Sequence, residues 1–274
     1  MEPTSIIQGL APAFDRLTRR LERCGLERSV VEAMLSRHTL VRYPKGATVF
    51  AQGAPADVLF AVLGGVIRIG CGRREDQRVI VTLAGPGDLA GFADFCDPRG
   101  SRSQLFDAEA VTGATIAIIT RDHLGRTLGG LPSSALIGLA EELNALWAAA
   151  LYRNATLLGL SLRDRLETVF IELAGRFGAP DARGQLIPLE LAQQELAAMI
   201  GGSRPMVSKL LLDMVRDGFL TREGRHYILV RKVAPARMVA ASTPRSLQQG
   251  LAATGGDIPL RPSAAGAAAG STEL

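Results

Sequence analysis

Between Tyr43 and about Thr120 the chain is a succession of short apolar runs cut by glycine. This pattern limits the fold more than any other feature. The runs are TVF (48–50), VLFAVL (58–63), VIRI (66–69), RVIVTL (78–83) and ATIAII (114–119). Gly46, Gly53, Gly64, Gly65, Gly72, Gly85, Gly87 and Gly91 fall between or beside them. Short strands at close spacing with glycine turns indicate a β-sandwich or barrel. The charged stretch CGRREDQ (71–77) lies between two of the runs and reads as a hairpin tip.

Helical patterns flank this region. Phe14, Leu17, Leu21, Val30, Val31, Met34 and Leu35 fit one or two short helices. After Pro132, the residues Leu136, Leu139, Leu143, Leu146, Ala150 and Leu157 recur at spacings of three, four and seven. That helix could pack on the barrel as core. The partial heptad seam and the commonness of symmetric dimers favour a dimerisation helix. Residues 161–178 form a further amphipathic helix, with Ser161 as N-cap and Gly178 with Pro180 as the stop. DARGQ (181–185) reads as a loop and LIPLEL (186–191) as a short extended piece. FLTREGRHYILV (219–230) reads as strand, turn at Glu223-Gly224, strand. From Ala234 the composition shifts to Ala, Gly, Ser and Pro without periodicity, and a disordered tail is expected.

The expected class is α+β. Residues 1–131 hold N-terminal helices and a β-roll sensor, 132–159 a long dimerisation helix, 160–233 a winged helix-turn-helix and 234–274 the tail. A chain of 274 residues accommodates these small domains. The formal charge of +4 permits a nucleic-acid partner without requiring one. The three cysteines, Cys24, Cys71 and Cys96, lie far apart, so neither a disulfide scaffold nor a CxxC site is expected. There is no basic start leading into an apolar run and no span-length apolar window. The expectation is therefore a cytoplasmic protein without a membrane partner.

The stretch GGSRPMVSKLLLDM (201–214) carries the chemistry. QQELAAMI (193–200) forms a short helix and Gly201-Gly202 the turn. Ser203 is placed to cap a second helix through its hydroxyl. Pro205 sits in the first turn, where its missing N–H costs nothing. Val207, Leu210, Leu211 and Met214 make the buried stripe. Arg204, Pro205, Ser208 and Lys209 remain exposed at the helix start. This is the helix-turn-helix arrangement, in which the second helix reads the major groove. The 219–230 hairpin supplies a wing whose Arg222, Arg225 and His226 can meet phosphate.

QELAAMIGGSRPMVSKLLLDMVRDGFL resembles the DNA-binding signature of the superfamily of the cyclic-AMP receptor protein and the fumarate–nitrate reduction regulator (Crp/Fnr). YPKGATVFAQGAPADVLFAVLGGVIRI (43–69) and LAGPGDLAGF (83–92) resemble its sensor strands and mid-barrel turn. The likeness covers roughly residues 14–233. It implies a homodimeric transcription regulator on a pseudo-palindromic operator in double-stranded DNA, controlled by a small-molecule effector and working with RNA polymerase. Arg204 and Lys209 match positions that contact bases or phosphates, Gln194 a backbone-contacting position and Ser203 a phosphate-near serine. Pro205 stands where many relatives carry a cytosine-reading glutamate, so a different operator is expected. Ala192 stands where a Thr or Ser usually caps the first helix.

The implied effector site departs further. Gly91 is followed by Phe92 where cyclic-nucleotide binders carry a glutamate for the ribose. Arg102-Ser103 is about two residues out of register with the phosphate site. Ala150 and Leu151 stand where a polar pair meets the base. The expected effector is therefore not cyclic AMP, while a cyclic dinucleotide held by Arg102 stays open. No cofactor is expected. An iron–sulfur cluster needs four suitable cysteines, and haem through His38, His123 or a cysteine is the weaker reading. Asp94, Asp97 and Asp107 read as a solvated loop at the roll mouth. No Gly-x-Ser-x-Gly, His-Glu-x-x-His or phosphate-cradling glycine loop occurs, so an enzyme is not expected. The competing function is a ligand-binding module that acts through protein contacts.

Overall fold

A computed structural model describes residues 3–22, 26–72, 78–91, 103–141 and 159–230. The chain opens with helices α1 (Pro3–Glu22) and α2 (Arg28–Leu35). Eight strands follow: β1 (Thr39–Tyr43), β2 (Thr48–Phe50), β3 (Val58–Gly64), β4 (Ile67–Cys71), β5 (Val79–Ala84), β6 (Leu89–Ala90), β7 (Asp107–Ala110) and β8 (Ala114–Thr120). They form two antiparallel four-stranded sheets, ordered β1-β8-β3-β6 and β2-β7-β4-β5. This is the expected β-roll.

The roll interior holds Val49, Phe50, Phe60, Val62, Ile67, Ala108, Ala110 and Ile116. Phe50 stacks on Phe60 with ring centroids 4.7 Å apart. The opposite face of β3 turns Leu59, Ala61 and Leu63 onto α1 and α2. Burial on both faces explains why VLFAVL is a continuous apolar run rather than an alternating one. The sequence reading missed β1, the two-residue β6 and β7. β1 is largely exposed. β7 buries only Ala108 and Ala110, with the carboxylates of Asp107 and Glu109 on its other face. Alanine gives too little hydrophobic contrast to mark a strand.

α3 (Arg121–Gly129) was also unread; the Thr120 hydroxyl caps it by accepting the His123 N–H. Residues 133–141 begin α4, with Ala135 buried against the α1–α2 core while Leu136 and Ile137 stay exposed. The remaining seam residues, Leu143, Leu146, Ala150 and Leu157, lie outside the described residues. So do the 73–77 tip, Asp94, Asp97, Cys24, Cys96 and the 234–274 tail. Among the described residues no helix is long and apolar enough to cross a membrane.

Helix α5 (Leu162–Phe177) starts at Ser161, whose hydroxyl accepts the Asp164 N–H at 3.2 Å. It stops at Gly178, where a Cβ would lie 2.2 Å from the Ala174 carbonyl oxygen. Strands β9 (Ala179–Asp181) and β10 (Gly184–Ile187) make a hairpin where a loop was expected, and only the first part of LIPLEL is strand. Helices α6 (Gln193–Ile200) and α7 (Arg204–Arg216) precede β11 (Leu220–Glu223) and β12 (His226–Val230). The third sheet runs β11-β12-β10-β9. One apolar cluster joins Val66, Ile80, Leu83 and Val111 of the roll to Leu166, Phe170, Leu196, Val207 and Met214 of the helical domain.

Candidate nucleic-acid interface

Gly201 closes α6 in the left-handed region at φ 68°. A side chain there is strained, and glycine removes the strain. The Gly202 N–H donates to the Ala197 carbonyl at 3.0 Å, so the chain leaves α6 sharply. Arg165 of α5 reinforces this corner by donating to the Ile200 carbonyl at 3.1 Å and to the Leu160 carbonyl at 3.1 Å. Sequence reasoning missed Arg165, because nothing in a helical pattern says which arginine reaches across a fold.

Ser203 is the N-cap of α7 by backbone conformation, and its carbonyl accepts the Val207 N–H at 3.0 Å. Its hydroxyl makes no capping hydrogen bond, which corrects the expected role. Extended backbone at Ser203 and Pro205 in the first turn start this helix without it. The exposed hydroxyl remains available to a partner. At α6, Ala192 offers no side-chain cap; the Glu195 carboxylate reaches back instead and accepts the Ala192 N–H at 2.7 Å. That is half of a capping box.

Val207, Leu211 and Met214 are fully buried and Leu210 packs against the same core. This fixes what faces outward. Ser203, Arg204, Pro205 and Lys209 are exposed, and Ser208 and Gln194 are half-buried. Met206 is 50% exposed and was not among the expected site residues. Leu212, on the same outer face, is 67% exposed. A helical wheel at 100° per residue places both outside the buried stripe, so the signal for them was present.

The wing turn is Gly224-Arg225, one residue later than expected, since Glu223 pairs with His226. Gly224 has φ 59°, which suits a tight hairpin. Arg222 and Arg225 are exposed and His226 is half-buried. The Glu190 carboxylate holds Lys45 at 2.8 Å and Arg225 at 3.6 Å. The Lys45 contact, followed by Arg225, holds its pKa below the ordinary carboxylate value.

The roll touches this domain through Arg68 on β4. Its guanidinium donates to Glu109 at 2.7 Å and to Glu195 at 2.6 Å. Burial opposes its charge, but hydrogen bonds to the two carboxylates outweigh that and raise its pKa. A second link runs through Asp88, which accepts from Arg20 of α1 at 2.9 Å and from Arg176 of α5 at 2.9 Å. Neither link was legible beforehand.

Of the expected effector residues, Gly91 and Ser103 are described; Phe92, Arg102, Ala150 and Leu151 lie outside the described residues. Gly91 has φ 78° and lies close against Phe60. Ser103 bridges to Pro55. Beside it, the Gln104 side chain is buried, and among the described residues neither amide atom has a hydrogen-bond partner. Asp107 is not a solvated loop residue, because β7 holds it against Arg78 in an ion pair. His38 and His123 contact the Leu35 carbonyl at 2.6 Å and the Ala33 carbonyl at 2.9 Å, which ties them to α2. Among the described residues no cluster of His, Cys, Asp or Glu could hold a metal ion.

Comparison with known proteins agrees with this geometry. Residues 40–129 match the cyclic nucleotide-binding domain family, and residues 164–234 match the Crp-like helix-turn-helix domain. A CRP-like cAMP-activated global transcriptional regulator of Mycobacterium tuberculosis is 29% identical over 209 residues, covering 75% of this chain and 90% of the relative. The CRP-like protein Clp of Xanthomonas axonopodis is 24% identical over 211 residues, covering 75% of this chain and 90% of the relative. The solved structure of the c-di-GMP responsive regulator CLP of Xanthomonas campestris superposes with a TM-score of 0.63 at 22% identity, covering 74% of this chain and 99% of that one. FixK2 of Bradyrhizobium japonicum superposes with a TM-score of 0.59 at 21% identity, covering 76% of this chain and 98% of that one. With a cyclic nucleotide-binding-type roll and a Crp-like helix-turn-helix joined in this order, the chain belongs to the Crp/Fnr superfamily of DNA-binding transcription regulators.

Proposed function

We propose that the protein works as a homodimer in the cytoplasm and binds a pseudo-palindromic operator. In this reading Arg204, Pro205, Ser208 and Lys209 enter the major groove, while Gln194, Ser203 and Arg225 meet the backbone. The observation that carries it is the outward face of α7. Its first turns expose Arg204 and Lys209 while Val207 and Leu211 lock the helix to the core. Recognition helices contact base edges through their N-terminal residues, and arginine suits the paired acceptors of guanine. The exposed Leu136 supports a dimer seam along α4, while Leu139, the next seam position, packs against the α1–α2 core. RNA polymerase is the proposed downstream partner.

The effector is proposed to enter the β-roll and to be something other than cyclic AMP. The M. tuberculosis relative is described as cAMP-activated. Here Phe92 follows the turn glycine, where a ribose-binding carboxylate would stand. The carboxylates of β7 are engaged by Arg78 and Arg68. The residues present therefore do not fit that ligand. The buried amide of Gln104, without a partner among the described residues, favours a ligand with its own donors and acceptors, because buried polar groups are otherwise satisfied.

The test is Arg204→Ala, assayed for binding to a selected operator and for mass by sedimentation. Lost sequence-specific binding with the dimer retained supports this reading. Unchanged binding supports the alternative, a regulatory module that acts through protein contacts.

A further inference from the structure

The outer surface of α7 exposes apolar side chains among its cations. At 100° per residue, Pro205, Lys209, Leu212 and Arg216 lie opposite the buried Val207, Leu211 and Met214. Pro205 is exposed, Met206 is 50% exposed and Leu212 is 67% exposed. None of the three packs into the core beneath. Arg204 and Lys209 flank them as exposed cations. A proline side chain neither donates nor accepts a hydrogen bond, and a methionine thioether accepts only weakly. Two adjacent positions in the reading turn therefore offer a base edge little beyond apolar contact.

The major-groove edge of DNA carries one apolar group, the C5 methyl of thymine; the other groups there are donors and acceptors. We infer that Pro205 and Met206 form an apolar reader that places a thymine methyl in each half-site of the operator. This rests on the DNA-reading role proposed for α7 and adds the base it selects. The pyrrolidine ring is fixed by its place in the first turn, so it forms a rigid wall. Met206 beside it is flexible and polarisable, and it closes over the methyl from the side. Hydrogen-bonded selection is left to Arg204 and Lys209.

Uracil tests this directly, since it keeps the pairing and every hydrogen-bonding group of thymine and lacks only the methyl. The full-length protein is used to select an operator from a random pool. Selection is run with and without the small-molecule fraction of a cell extract. Each thymine of the recovered half-site is then replaced by deoxyuridine, and affinity is measured at fixed salt. The expected result is one position per half-site where the loss is about fourfold, from removal of one buried methyl. Substituting both half-sites gives about 16-fold. Pro205→Ala combined with Met206→Ala erases this discrimination, and the exposure of both residues leaves the fold intact, which circular dichroism checks. Affinity that ignores uracil at every position overturns the inference, as does discrimination that survives in the double variant. In both of those outcomes the protein still selects a sequence, so sequence-specific DNA binding stands and Arg204→Ala tests α7 separately. Failure to select any sequence overturns the underlying reading as well.

Discussion

Arg68 in the β-roll donates to Glu195 at 2.6 Å, and the other oxygen of the same carboxylate caps the first helix of the helix-turn-helix at the Ala192 N–H. One side chain thus ties the position of α6 to the state of β4. Arg68 and Glu195 have side chains 15% and 16% exposed, so the pair is only weakly accessible to solvent and salt. Glu195→Gln keeps an oxygen for the cap and removes the charge. Combined with Arg68→Gln in a double-mutant cycle, it should show a coupling of about 1–2 kcal/mol in denaturant unfolding. The same variants should shift DNA affinity, because they loosen the reading head from the roll. Additive effects on stability would refute the link.

Arg68→Ala should cost more than either glutamine variant, about 3 kcal/mol. It leaves Glu109 and Glu195 facing each other without the cation that holds both. Urea midpoints compared at constant m-value measure this.

Gln104→Leu should raise the stability of the ligand-free protein by about 1 kcal/mol, since it removes a buried amide without partners among the described residues. It should also abolish any response to the effector. A lower melting temperature in the variant would show that the amide is satisfied in solution.

Asp181 carries the plainest pH signature. The Arg183 guanidinium, helped by the Arg183 backbone N–H, lowers its pKa from 3.8 to about 2. A depressed carboxylate stabilises the fold above its unfolded pKa, and that contribution is lost as pH falls through the folded value. The contribution should therefore be complete above pH 3.8 and disappear toward pH 2. Carbon-detected NMR titration should find Asp181 near 2 in the native chain and higher, but still below 3.8, in Arg183→Gln, which keeps the backbone N–H.

Gly201→Ala should destabilise the helical domain by about 1–2 kcal/mol, from the left-handed conformation rather than from a clash. The nearest atom to an added Cβ is the tip of Arg165 at 3.8 Å. A larger loss in operator binding than in stability would show that the corner also sets the pitch of α7.

Much of this protein is legible in its residues taken in order. Glycine-cut apolar runs marked the roll, Ser161 and Gly178 marked both ends of α5, and the 201–214 stretch identified the reading head. These signals are local: turn geometry, capping and periodicity act over a few residues, so the sequence displays them. The alanine-lined β7 escaped, because its strand character comes from neighbours on both sides rather than from its own side chains. So did the Ser203 hydroxyl, whose freedom depends on a backbone that needs no cap.

What only the tertiary structure decided is which distant groups meet. Arg68 and Glu195 lie 127 positions apart, Arg176 and Asp88 lie 88 apart, and no local pattern pairs them. The sequence by itself determined that a β-roll is followed by a helix-turn-helix whose second helix exposes Arg204 and Lys209 at its start. The fold decided which carboxylates join the two, Glu195 to Arg68 and Asp88 to Arg176, since ion pairing depends on distance in space and a sequence records only order along the chain.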